Sequence, residues 1–139
     1  MAEATQTVTE TPAMKGVIPY LSVVGASDAA AFYKTAFGAE EYMRMPSEDG
    51  RLLHCHLIIN EGSLMLSDAF PEHGYGHQPS HSFTMQLVVP DLDRWWTRAV
   101  EAGAHVVTEP QVMFWGDRYG SLKDAWGVHW AINEPAKPA

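Results

Sequence analysis

Residues 23–40 read VVGASDAAAFYKTAFGAE, and 65 positions further on residues 88–105 read VVPDLDRWWTRAVEAGAH. Val23-Val24 fall on Val88-Val89, Asp28 on Asp93, and Gly38-Ala39 on Gly103-Ala104. The correspondence runs on through Leu57 and Leu122 and through Gly62 and Gly127, so that LIINEGSLML at 57–66 aligns with LKDAWGVHWA at 122–131. A self-similarity of this length means two copies of one structural unit, each unable to bury its apolar face alone. The copies span 17–69 and 82–134. An N-terminal extension (1–16), a linker (70–81, FPEHGYGHQPSH) and a Pro-rich C-terminal tail (135–139) complete what reads as one domain.

Each copy carries the pattern strand, helix, three strands. VIPYLSVV (17–24) and SFTMQLVV (82–89) are β-branched and aromatic runs closed by Gly25 and Pro90. The first helix presents Ala29, Phe32, Tyr33, Ala36 and Phe37 at helical spacing, the second Leu92, Trp95, Trp96, Ala99 and Val100. Ser27 and Asp91 are the expected N-caps, and Gly38 and Gly103 the expected stops. The two stripes are two residues out of phase with the offset of 65. Strand signals follow at 40–45, 51–59 and 63–68, and again at 105–108, 117–123 and 128–133, divided by SEDG, NEG and DAWG turns. The expected fold class is therefore α+β: two βαβββ modules forming an eight-stranded curved half-barrel, helices outside and a ligand-sized cup inside.

The charge balance is −8, which argues against a nucleic-acid partner and against an anionic membrane surface. No apolar run is long enough to span a bilayer. A single cysteine, Cys55, excludes an internal disulfide, and MAEATQTVTETPAMKG lacks the basic and apolar segments of a signal peptide. The expected location is the cytoplasm.

With these words in this order, the chain resembles the vicinal oxygen chelate superfamily (glyoxalase, bleomycin resistance, dioxygenase), in its PhnB-like branch. The resemblance rests on PYL at 19–21, AFYKTAFGAE at 31–40, LMLSD at 64–68, FWGDRYG at 114–120 and the DAWGVHW turn at 124–130, where Ala125 replaces the family's proline. It implies paired modules, a homodimer, and a concave site that in many members holds a divalent metal. Its four ligand positions fall here on Pro19, Leu66, Thr84 and Ala131. Active members carry His, Glu or Gln there, whereas these four side chains cannot form such a set. The usual metal site is expected to be absent and no cofactor is required; a displaced metal site stays open.

Among the remaining polar residues, His54 and His56 alternate with Leu52 and Ile58 on one strand face, opposite Leu53, Cys55, Leu57 and Ile59. They are either hydrogen-bonded polar residues of a half-wet face, ligand-binding groups with His54 as candidate catalytic base, or, with His129, an unconventional metal triad. Tyr119 and Ser121 align with His54 and His56 and should line the cup beside Gln86. Trp115 and Arg118 stand at its rim, suited to stack on and pair with a planar or anionic molecule. The competing reading is that Asp117 and Arg118 pair to hold a turn. His73, His77 and His81 read as exposed loop residues and Cys55 as an inert buried thiol, and the resemblance implies that Trp130 is core. The expected function is binding of a small aromatic or polar molecule in the cup without the usual metal; the alternative is a metal-dependent lyase or dioxygenase with relocated ligands. A metal-free isomerase-like catalyst using His54 as base is the further enzyme reading.

Overall fold

The computed structural model describes residues 5–6 and 14–137. The chain divides into two compact units, Met1–Gln78 and Pro79–Ala139. The first holds β1 (Thr5–Gln6), β2 (Tyr20–Val23), α1 (Ala26–Phe37), β3 (Glu40–Pro46), β4 (Leu52–Ile59) and β5 (Gly62–Asp68). The second holds β6 (Met85–Val88), α2 (Leu92–Glu101), β7 (His105–Val112), β8 (Arg118–Lys123) and β9 (His129–Glu134). The two βαβββ modules and the α+β class are thus as expected. In each unit the strand that precedes the helix runs parallel to the last, β2 to β5 and β6 to β9: the sheet orders are β1-β3-β4-β5-β2 and β6-β9-β8-β7. No described helix is long and apolar enough to cross a membrane.

A ninth strand corrects the expectation of eight. Thr5 and Gln6 pair antiparallel with Arg44 and Met43, where the edge of β3 leaves backbone groups to satisfy. The rest of the N-terminal extension up to residue 13 lies outside the described residues, as do the last two residues of the tail.

The phase difference between the helix stripes has a simple origin. The face of α1 that is buried is Ala26, Ala29, Ala30, Tyr33, Ala36 and Phe37, while Phe32 is only half covered. Shifted by 66 rather than 65, Ala26 falls on Leu92, Ala30 on Trp96 and Tyr33 on Ala99, and the helices superpose. The first strands obey the same shift, since Leu21 and Val23 are buried like Leu87 and Val89. The copies exchange bulk across this interface. Where α1 offers Ala30 and the sheet offers Cys55, α2 offers Trp96 and the sheet offers Gly120; a Cβ on Gly120 would lie 2.6 Å from the Trp96 ring. Volume is conserved by swapping which layer is large.

The N-terminus of α1 is capped from a distance. Asp68, at the end of β5, accepts from the backbone N–H groups of Gly25 (2.8 Å) and Ala26 (3.0 Å) with Oδ1, and from Leu52 (2.7 Å) with Oδ2. Ser27 is therefore not the cap; its hydroxyl accepts instead from Arg44, 3.3 Å away. Gly25 at φ 89° lets the chain enter the helix by a left-handed turn that carries its N–H to Asp68. In α2 the expected Asp91 does cap, accepting from Arg94 N–H, and Glu134 at the end of β9 accepts from Leu92 N–H at 2.9 Å. Asp68 and Glu134 are again 66 apart.

One strand breaks alternation. A register shift between Met45 and Pro46 leaves Leu53 unpaired against β3. Leu52 turns under α1 and is 1% exposed, whereas Leu53 is 43% exposed on the other face. The expectation had them the other way round, because a bulge inserts one residue and inverts the parity beyond it.

Candidate functional site

The face of the first sheet turned away from α1 carries Tyr20 and Ser22 from β2, Leu53 from β4, and Ser67 from β5. With the β3–β4 turn (Ser47, Glu48, Asp49), Arg51, and the loop residues Phe70, His73 and Tyr75, they enclose a cavity of about 900 Å³. The loop is shaped by its own chemistry. Pro71–His73 form one 3₁₀ turn, and Phe70 and Tyr75 exchange backbone hydrogen bonds across it, at 2.6 and 3.0 Å. Arg51 ties turn to loop. Its guanidinium donates to Asp49 (2.9 and 2.7 Å) and to Glu72 (3.2 and 2.5 Å), and lies 4.1 Å from the centre of the Phe70 ring. These bonds hold the Asp49 carboxyl far below its usual range and that of Glu72 at about 2, and they raise Arg51 further still.

His54 meets this cavity through Tyr20, whose hydroxyl is 3.0 Å from His54 Nδ1. Burial lowers the pKa of His54 and keeps the ring neutral at pH 7. His56 is more deeply enclosed, 2% exposed, with Nε2 2.9 Å from the Ser63 hydroxyl and the Tyr42 ring edge-on at 5.3 Å. Its pKa is lowered by burial and then by the neighbouring His54. Cys55, beneath α1, is pushed up to about 11 by burial first and by Glu41 second; it is the inert thiol expected.

In the second unit the face away from α2 carries Gln86 opposite Ala131 and a row of Ser121 and Tyr119 on β8, with His129 at the start of β9. Trp115 and Tyr119 meet edge to face at 5.6 Å, so this aromatic pair forms as expected. Arg118 does not stand beside it. On β8 Gly120 and Leu122 face α2, and so does Arg118, whose guanidinium binds both oxygens of Asp93 at 2.9 and 3.1 Å. Nor do Asp117 and Arg118 pair: Asp117 accepts from the Asn133 amide and from Ala136 N–H, pinning the tail. The DAWGVHW turn is structural. Asp124 accepts from the N–H of Trp126 and Val128 and from the indole of Trp130, which is core. His129 is 3.4 Å from His81, and His77 is 3.0 Å from the Ser22 carbonyl, so two of the loop histidines are anchored rather than loose.

Residues 19–132 match the model of the Glyoxalase/Bleomycin resistance protein/Dioxygenase superfamily. The chain belongs to that superfamily. It is 39% identical to protein Mb0911c of Mycobacterium bovis over 125 residues, 86% of this chain and 82% of that one. TioX from a Micromonospora species shares its fold with a TM-score of 0.71 at 21% identity, over 87% of this chain and 98% of that one. A PhnB protein from Bacillus cereus does so with a TM-score of 0.69 at 15% identity, over 87% and 100%.

The superfamily's metal does not fit the residues at its usual positions. Leu66, opposite Cys55, lies under α1. The β4–β5 hairpin turns in two residues, Asn60 and Glu61, both at positive φ, whereas β8–β9 needs five; the last strands therefore match at 66, and the structural mate of Ala131 is Met65. The Pro19 carbonyl is spent on Met65 N–H. At the same shift the mate of Thr84 is Ile18 rather than Pro19; Thr84 alone of the four expected positions has a side-chain oxygen, and no imidazole or carboxylate stands in the set. Of the alternative triad, His54 and His56 belong to one unit and His129 to the other. Among the described residues, no three His, Cys, Asp or Glu side chains are grouped around a point a metal could occupy.

Sequence reasoning found His54 but missed Tyr20, Arg51, Phe70, His73 and Tyr75. The signal was present in FPEHGYG, where two aromatics and a carboxylate flank a glycine turn; the Gly and Pro content made it read as a linker.

Proposed function

We propose that this member of the superfamily binds a small aromatic or polar molecule in the cavity of its first unit, without a metal at the family's usual positions. The observation that carries this reading is the cavity itself: about 900 Å³, walled by Tyr20, Leu53, Phe70 and Tyr75, with the serine hydroxyls of residues 22 and 67 and a fixed ion-pair network at its rim. Apolar walls with a few placed polar groups are what small-molecule sites require. The test is a ligand screen by thermal unfolding. A ligand that binds only the folded chain raises the midpoint with its concentration, and Tyr20→Ala with Tyr75→Ala should remove that rise while the ligand-free midpoint stays near wild type. A rise that survives both substitutions refutes this location. The expectation of a homodimer goes with this reading, and sedimentation velocity tests it.

A second reading, a metal-free catalyst of proton transfer, is favoured by one contact. Tyr20 faces the cavity and its hydroxyl is backed by a neutral His54 at 3.0 Å, the distance a general base needs. Solvent exchange of an acidic C–H in a bound ligand, lost in His54→Gln and in Tyr20→Phe, would support it.

A further inference from the structure

We propose that the cavity of the first unit selects organic cations, ligands that carry an amine or a fixed positive charge on an aromatic or apolar body. The inference rests on the small-molecule reading above and adds the charge class of the ligand.

Among the described residues the rim carries one guanidinium and the imidazole of His73 against three carboxylates: Arg51 beside Glu48, Asp49 and Glu72. Arg51 is fully engaged. Nε and one terminal nitrogen bind Asp49, both terminal nitrogens bind Glu72, one of them also reaches the Ala69 carbonyl at 3.3 Å, and the flat face lies on Phe70. An anion entering the cavity would have to break these bonds to find a donor, and would do so against a surplus of negative charge. A cation meets that surplus without displacing Arg51. Asp68 also lines the cavity, but its oxygens are spent on three backbone N–H groups, so it adds little to the surplus. The chain as a whole, at −8, raises a field of the same sign at the entrance.

The walls favour the same class. Phe70 already holds a guanidinium on its face at 4.1 Å. Tyr20 and Tyr75 are more than half exposed and turn their rings to the same space, as cation–π recognition uses them. Arg118, the group that had suggested an anionic ligand, faces α2 and is bound by Asp93.

The experiment compares three probes of one shape: 1-naphthylmethylamine, 1-naphthylmethanol and 1-naphthylacetate. Each is titrated into the full-length ¹⁵N-labelled chain, with binding located by amide shift changes. The expected order is cation, neutral, anion, with the cation about tenfold tighter than the neutral probe. Amides of residues 20–22, 47–53 and 67–75 should move. Glu48→Gln leaves both partners of Arg51 unaltered and should reduce the cation's advantage roughly threefold, as should raising the salt well beyond physiological strength. If the three probes bind these residues equally, or the anion binds best, the charge class is overturned and the cavity reading stands. If no probe moves these residues at millimolar concentration, both fall.

Discussion

Gly120 offers the sharpest test of how the two modules are packed. It sits mid-strand in β8 with an ordinary negative φ, so its lack of a side chain is not required by its backbone. In an open strand position alanine would be the better residue, by roughly 0.5–1 kcal/mol. Here a Cβ would lie 2.6 and 2.9 Å from two carbons of the Trp96 ring and 3.2 Å from Pro110 Cγ, all well inside contact distance. Trp96 is half-buried on α2, and its ring would have to shift to admit the added carbon. Gly120→Ala should therefore destabilise the chain by about 1–3 kcal/mol, the range seen for overpacking a filled core. The measurement is the urea-unfolding free energy at constant m-value. The first module predicts the cure: it carries Ala30 and Cys55 at the matching positions, so Gly120→Cys combined with Trp96→Ala should lose less than the two single changes added together. A neutral or stabilising Gly120→Ala would refute the exchange of bulk, as would strict additivity in the double substitution.

Asp68→Ala should cost about 1–3 kcal/mol, since it strands three backbone N–H groups, two of them at the start of α1; Asp68→Asn, which keeps one acceptor oxygen, should cost less in the same urea titration. Burial lowers the pKa of His54 and His56, so the unfolded chain takes up protons before the folded one does. Stability from this source is complete above the ordinary histidine value of 6.5 and declines as pH falls below it, by at most about 1.4 kcal/mol per pH unit for each ring. His56→Gln should flatten that decline between roughly pH 6.5 and 5, whereas loss of the Asp49 and Glu72 pairings needs far stronger acid. Cys55, fully buried with its pKa pushed up to about 11, should react with a thiol reagent at neutral pH only as fast as the chain opens; a fast burst of labelling in the native state would contradict its placement under α1.

Much of this molecule was legible in its residues. Local chemistry places the elements: β-branched runs became β2 and β6, Asp91 capped α2, Gly38 ended α1 in the left-handed conformation, and the strand positions after each helix agreed to within a few residues. The repeat showed two βαβββ modules because a duplicated pattern of apolar faces has few ways to be buried. The alternation of β4 placed Cys55 and Leu57 under the helix correctly, and the family resemblance placed Trp130 in the core.

The failures share one cause: they concern contacts between residues far apart in the chain. The phase of α1 was misread because Phe32 looks like core and Ala26 and Ala30 do not, and only packing decides which stripe of an alanine-rich helix faces the sheet. One inserted residue in a bulge exchanged Leu52 with Leu53, and a turn one residue longer between matched strand positions shifted the last strand's match from 65 to 66, which moved the position thought to be Leu66 onto Met65. Arg118 could have pointed to either face of β8, and the distant Asp93 decided between them. The cap of α1 came from Asp68, some forty residues away, and the candidate site from a loop whose order depends on Arg51 reaching both Asp49 and Glu72. By itself the sequence determined which segments are strands and helices and that they occur twice, because those follow from neighbours along the chain. Tertiary structure alone decided which side chains share a cavity and what charge lines it, because a single residue of slip turns a side chain to the opposite face of its strand.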